Sequence, residues 1–112
     1  TIPGSRYYIH CRNASDALLF LLRHGQVGEA YHIRGEREIN NLDLAKFIAH
    51  VMNKDLVYEF VDFHGSRPGH DLRYSLDGSK LARAGWKIPK TFEDSLRKTI
   101  EWTLEYKDKW LF

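Results

Sequence analysis

The stretch His64–Pro89, "HGSRPGHDLRYSLDGSKLARAGWKIP", divides two kinds of local structure. Glycines, a proline, arginines and histidines crowd its opening, too much turn chemistry for a helix or a central strand. It closes in a short helix-like run that starts at Asp77 or Ser79 and stops at Gly85. Upstream, Leu56–Phe63 ("LVYEFVDF") reads as a strand, apolar at 56, 58, 60 and 61. Downstream, Thr91 with Asp94 three residues on makes a capping-box-like start, and Phe92, Leu96, Ile100, Thr103 and Leu104 follow as the buried stripe of a last helix.

Working outward, the N-terminal part alternates in the same way. Arg6–His10 ("RYYIH") is a β-rich run. Asn13 offers an N-cap with Asp16 at N3, and Ala14, Ala17, Leu18, Leu21 and Leu22 follow at helical spacing up to Gly25 as the C′ residue. Ala30–Ile33 reads as a short strand. Asn41 is a second N-cap, ahead of Leu42, Ala45, Ile48, Ala49 and Met52 on one helical face. Strands alternating with helices predict one α/β (α+β) domain over residues 1–112, with about four helices and three to four short strands.

The composition narrows the function classes. Seventeen basic residues against 15 acidic ones give a net charge of +2, so no overall field recruits nucleic acid or a membrane surface. The longest apolar run, Ala17–Leu22, is too short to span a bilayer. A single cysteine, Cys11, cannot close an internal disulfide and suits a reducing cytoplasm. The sole methionine is Met52, so the sequence reads as a piece of something longer. No Gly-rich turn follows any of the expected strands, hence no dinucleotide-binding fingerprint of its own.

Several residues carry possible chemistry. Arg67 and Arg73 flank "PGHD", where Pro68 fixes one φ and Gly69 frees the next, presenting Arg67 in a set direction. A guanidinium so held suits bidentate contact with phosphate or carboxylate, and His70 adds a donor; the plainer reading is a solvated surface turn. His64, His70, Asp62 and Asp71 match no tight metal-ligand spacing, so no metal is expected. Cys11 beside Arg12 reads as a core thiol rather than a nucleophile. Arg34, Arg37 and Asn40–Asn41 crowd the turn before the second helix, where an asparagine amide can cap the helix or meet a ligand. Trp86, Trp102 and Trp110 read as core or patch residues.

The run "RPGHDLRYSLDGSKLARAGWKIPKTFEDSLRKTIEW", Arg67 to Trp102, resembles the C-terminal segment of the dTDP-glucose 4,6-dehydratases, lyases of the extended short-chain dehydrogenase/reductase (NAD-dependent epimerase/dehydratase) superfamily. "SRYYIHCRNASDAL" and "GEAYHIRGEREINNLDLAKFI" are similar to the family's Arg-led strand and its "GETYNIGG…NxDL" run. His32 stands where the family has Asn, and Arg34 replaces a glycine. The resemblance implies a substrate-binding domain without the Rossmann cofactor domain, in which Arg6, Asn41, Arg67 and His70 line the diphosphate and nucleotide side of a nucleotide-diphosphate sugar. It also implies that the family's Gly-rich cofactor loop and Tyr-x-x-x-Lys lie in a preceding segment. The chain alone should then bind no NAD and hold no catalytic residue, while the intact family uses NAD to oxidise the sugar at C4, eliminate water across C5–C6 and return the hydride at C6. A nucleotide-sugar 4-epimerase and a non-catalytic interaction or oligomerisation domain are the alternatives. Apolar surface on Ala17–Leu22 and at Trp110–Phe112 predicts a homo-oligomer.

Overall fold

The computed structural model describes residues 4–62, 65 and 67–110. Phe63, His64, Leu111 and Phe112, which belong to segments named above, lie outside these. In chain order the elements are β1 (Ser5–Arg6), α1 (Cys11–His24), β2 (Ile39–Asn40), α2 (Asn41–Val51), α3 (Ser79–Arg83) and α4 (Phe92–Trp110). This is the small α/β domain that the sequence predicts, with four helices and a two-stranded sheet among the described residues.

The sheet is small but central. β1 and β2 pair antiparallel, Ser5 opposite Asn40 and Arg6 opposite Ile39. On its other side Ser5 forms a parallel bridge to Arg73, donating its N–H to Leu72 O (2.9 Å) and accepting from Tyr74 N (3.2 Å). Three extended segments therefore meet at Ser5. The strand expected over Arg6–His10 pairs only at its first residue, and Ala30–Ile33 and Leu56–Asp62 join no ladder. A strand needs a partner as well as a composition. Tyr31 is instead held by side-chain contacts, its hydroxyl accepting from Gln26 N (3.1 Å) and its ring lying under Lys80.

Two helix starts differ from expectation. α1 is capped by His10, whose Nδ1 accepts from Arg12 N at 3.0 Å. Asn13 lies inside the helix, 2% exposed, and its amide donates to Lys90 O (3.1 Å) and accepts from Lys90 N (3.2 Å). α2 is capped by Asn40, whose Oδ1 accepts from Asp43 N at 2.8 Å, so Asn41 is the first helical residue and its side chain is released from capping. At the end of α1, Gly25 has extended rather than left-handed backbone (φ −70°, ψ 150°). The start of α4 is as the sequence predicts: Thr91 Oγ1 accepts from Asp94 N at 3.2 Å. Its stripe is buried at Phe92 and Ile100, while Leu104 is half-exposed.

The core is thin. Ala17, Ile39, Leu81, Phe92 and Ile100 are its buried apolar residues, and α2 packs on α4 through Phe47 and Phe92, ring centroids 6.5 Å apart. The radius of gyration is 16.9 Å, where a compact domain of this length has roughly 13 Å. Large apolar side chains stand in solvent on α1 (Leu18, Leu19, Leu22) and along Val57–Val61. Among the described residues, no helix is long and apolar enough to cross a membrane.

Candidate functional site

The Ser5 junction fixes Arg6, and Arg6 organises what surrounds it. Nη1 donates to Ser5 O (2.7 Å) and Leu72 O (3.0 Å), and Nη2 donates to Asp71 O (3.3 Å). The guanidinium lies 4.2 Å above the centre of the Tyr74 ring, a cation–π contact. Nη2 also stands 3.4 Å from His70 Nε2. Because a guanidinium only donates, that contact requires an unprotonated Nε2.

His70 is set by the turn before it. Its N–H donates to Arg67 O at 3.3 Å, and Gly69 between them has φ 76°, the third-position geometry of a type II turn with Pro68 at the second. Replacing Gly69 would strain this turn, since other residues rarely adopt such a φ. The Arg67 side chain is exposed and, among the described residues, forms no hydrogen bond or ion pair.

Asn41 approaches from the sheet side. Its N–H donates to Gly4 O (2.8 Å), and its Oδ1 accepts from the Tyr8 hydroxyl (2.8 Å). Gly4 is buried between the two groups: an added Cβ there would stand 3.4 Å from Asn41 Nδ2 and 3.5 Å from Arg6 Nη1. Arg6, Asn41 and His70 thus share one locality, although His70 is 64 positions from Arg6. Arg67 is tied to it by its backbone carbonyl, with its guanidinium in solvent.

Beside Arg6 a cleft of about 290 Å³ opens between Tyr7, Ile33, Arg34, Tyr74, Ser75 and Leu76. Arg34 forms one wall, stacked 4.5 Å from the Tyr7 ring centre, with Nη1 donating to Leu76 O at 3.0 Å. In sequence this arginine is one charge in a crowded turn and a replacement for a glycine of the resembled family. Tyr74, the platform under Arg6, gave no signal beyond the letters "RY".

The charges near the site are unequally matched. Arg73 is held by Glu38 through Nε–Oε1 (2.6 Å) and Nη2–Oε2 (2.8 Å), and the Arg73 guanidinium, with the Ser5 hydroxyl, keeps the Glu38 carboxyl down at about 2. Arg37 pairs with Glu93 and Lys80 with Glu29. Arg6 and Arg34, by contrast, have no carboxylate within salt-bridge distance among the described residues.

Other candidates fall away or change character. Among the described residues no three His, Cys, Asp or Glu side chains gather as metal ligands. Cys11, expected in the core, is exposed at the first residue of α1, its Sγ 3.6 Å from His10 Nδ1. Of the tryptophans, Trp86 donates to Asp16 Oδ2 at 2.8 Å, while Trp102 and Trp110 meet edge to face and are about half-exposed. The connection from β1 to α1 (Tyr7–His10) and the junction of β2 with α2 contain no glycine, and the two helix starts are occupied by the His10 and Asn40 caps.

No protein-family model matches the chain. Individual proteins do. dTDP-glucose 4,6-dehydratase 1 of Escherichia coli K12 is 37% identical over 112 residues, covering 95% of this chain and 31% of that enzyme. The crystal structure of DesIV, a dTDP-glucose 4,6-dehydratase from Streptomyces venezuelae with NAD bound, superposes with a TM-score of 0.82 at 33% identity, covering 96% of this chain and 33% of that one. The chain is homologous to a segment of the dTDP-glucose 4,6-dehydratases. The resemblance read from Arg67–Trp102 and from the two earlier runs holds over nearly the whole sequence. A trifunctional UDP-glucose 4,6-dehydratase of Arabidopsis thaliana is also similar, at 32% identity over 94% of this chain and 16% of its own length. The chain spans about a third of the length of the curated dTDP-glucose 4,6-dehydratases it matches. Its fold is the small α/β C-terminal part of such a dehydratase.

Proposed function

We propose that this single domain is the nucleotide-sugar-binding part of an enzyme of the dTDP-glucose 4,6-dehydratase type, with Arg6, Asn41, Arg67 and His70 directed at the diphosphate and nucleotide. The observation that carries this reading is the meeting of Arg6, Asn41 and His70 around the Ser5 junction, with no carboxylate within salt-bridge distance of Arg6 among the described residues. A diphosphate needs converging, pre-oriented donors. The carbonyls of Ser5, Asp71 and Leu72 and the ring of Tyr74 hold the Arg6 guanidinium in one orientation, which lowers the entropy lost on binding. Arg67, one turn away on a fixed backbone, closes on the anion from solvent.

NAD, bound in the structure of the Streptomyces relative, supplies the hydride chemistry in that type of enzyme and on this reading comes with a separate Rossmann domain. This chain binds and orients the remote part of the substrate, the source of binding energy for positioning the sugar. The UDP-glucose relative makes a uridine nucleotide the second candidate ligand.

Calorimetry on the 112-residue chain with dTDP-glucose, UDP-glucose and NAD tests this. Saturable binding of one nucleotide sugar is expected, with no NAD binding. Arg67→Lys should weaken it by about 1.5–3 kcal/mol, because an ammonium cannot reproduce the fork. Binding of neither nucleotide sugar, or micromolar binding of NAD, would overturn the assignment.

A further inference from the structure

Arg34 is a residue for which the proposed site has no use, yet it faces the same cleft as Arg6. Each guanidinium lies on a tyrosine ring, Arg6 on Tyr74 and Arg34 on Tyr7, and each is tied to the 71–76 segment: Arg34 spends Nη1 on Leu76 O, while Arg6 spends Nη1 on Leu72 O and Nη2 on Asp71 O, its Nε–H having no partner among the described residues. Both are therefore oriented before any ligand arrives. None of the seven lining residues is acidic. Asp77 feels the Arg34 charge but does not line the cleft, and its carboxylate is engaged chiefly with Ser79, whose N–H it accepts at 2.9 Å.

Two fixed cations around a space without acids select an anion with two separated charges. Size narrows it further. At about 290 Å³ the cleft lies at the small end of ligand sites, room for a pyrophosphate-sized group rather than a complete nucleotide sugar. Ser75, which also lines the cleft, carries a hydroxyl of the kind that donates to a phosphate oxygen.

We propose that Arg34 is a second diphosphate-binding residue, so that Arg6 and Arg34 each take one phosphate of the same diphosphate across this cleft. This rests on the reading of Arg6 as an anion-binding group, and it gives the ligand a direction, along the cleft from Tyr74 toward Tyr7.

Inorganic pyrophosphate and orthophosphate serve as probes on the full 112-residue chain, followed by calorimetry and by NMR of arginine Nε–H groups. Pyrophosphate should bind more tightly than orthophosphate, and its addition should shift the resonances of both Arg6 and Arg34. Arg34→Gln should weaken pyrophosphate about tenfold or more and abolish its advantage over orthophosphate, while Arg34→Lys should fall between. Should the Gln variant unfold, the Nε–H shifts in the unaltered protein decide alone. An unmoved Arg34 resonance, an unchanged affinity in a folded Gln variant, or no pyrophosphate binding at all overturns the proposal. Nucleotide-sugar binding that is weakened by Arg67→Lys but indifferent to Arg34→Gln would remove this inference and leave the proposed function standing. Pyrophosphate binding that depends on Arg34, without binding of either nucleotide sugar, would do the reverse.

Discussion

Glu38 and Arg73 meet in a two-point ion pair, 2.6 and 2.8 Å, against the three-way junction at Ser5, whose hydroxyl donates to the same carboxylate at 2.5 Å. The pair ties the segment before β2 to the segment that cradles Arg6. Its acid is held far below the usual 4.5, at about 2, first by Arg73 and then by Ser5. A depressed folded-state value means that the stabilisation is complete above the unfolded value and is lost as pH falls through the folded one. Stability should therefore decline between about pH 4.5 and pH 2, and Glu38→Gln should flatten that part of the curve. Thermal melts of both proteins across this range check it. An equally steep decline in the Gln variant would assign the acid sensitivity to other carboxylates, such as Glu29 and Asp77, which are also lowered.

Asn13 clasps both backbone groups of Lys90 from inside α1. Asn13→Ala should cost about 1–3 kcal/mol, since it strips the partners from an N–H and a C=O that the helix partly covers. Asn13→Asp is the sharper test: the carboxylate still accepts from Lys90 N but faces Lys90 O without a donor. Chemical denaturation should show the Asp variant destabilised at neutral pH and partly recovering as the carboxyl protonates.

How far the sequence revealed this structure depended on whether each partner was near in the chain. The Thr91–Asp94 cap was legible because donor and acceptor sit three residues apart. Asn13 has the look of a cap in sequence because its actual partner lies 77 positions away, and His10 does the capping. Asn40 and Asn41 are chemically identical neighbours, so cap preference alone could not choose between them. Ile39–Asn40 is too short a strand to show any period. At the site, turn and cap chemistry marks Arg67, His70 and Asn41 as candidate donors, whereas Arg6 enters only through the family resemblance. The Arg34–Tyr7 and Arg6–Tyr74 stacks need three-dimensional knowledge that no spacing supplies.

Gly35 is buried against the backbone of the strand side of the site, where an added Cβ would meet Tyr8 O at 2.0 Å. No rotamer relieves a clash with a main-chain oxygen. Gly35→Ala should therefore push the Tyr7–Tyr8 backbone away from Arg34, destabilising the fold by about 1–3 kcal/mol and disturbing the Arg34–Tyr7 stack. Equilibrium unfolding gives the first effect and the Arg34 Nε–H shift gives the second.

The exposed apolar side chains of α1 and of Val57–Val61, on a chain with a radius of gyration well above that of a compact domain, form surface that association between copies would cover. The isolated chain should self-associate, in a two-fold dimer or a larger assembly. Light scattering at tens of micromolar should report more than the 13.2 kDa of one chain, and Leu19→Lys with Leu22→Lys should shift the mass back toward it. A monomeric mass for the unaltered chain would refute this expectation.

The three-way junction at Ser5 also dictates when the site can exist. Ser5 is joined to Asn40 and to Arg73, and Arg6 takes its carbonyls from Asp71 and Leu72. Helices such as α1 draw on contacts within a few residues and form quickly, whereas joining such distant segments requires closing large loops first. During synthesis, β1 must wait for most of the domain to emerge before its second neighbour is available. Through that interval its backbone is an open edge and the Arg6 guanidinium has no cradle. A ligand that bridges Arg6 to the 70–76 segment would bind only after this closure, and so would favour the last step of folding rather than the first.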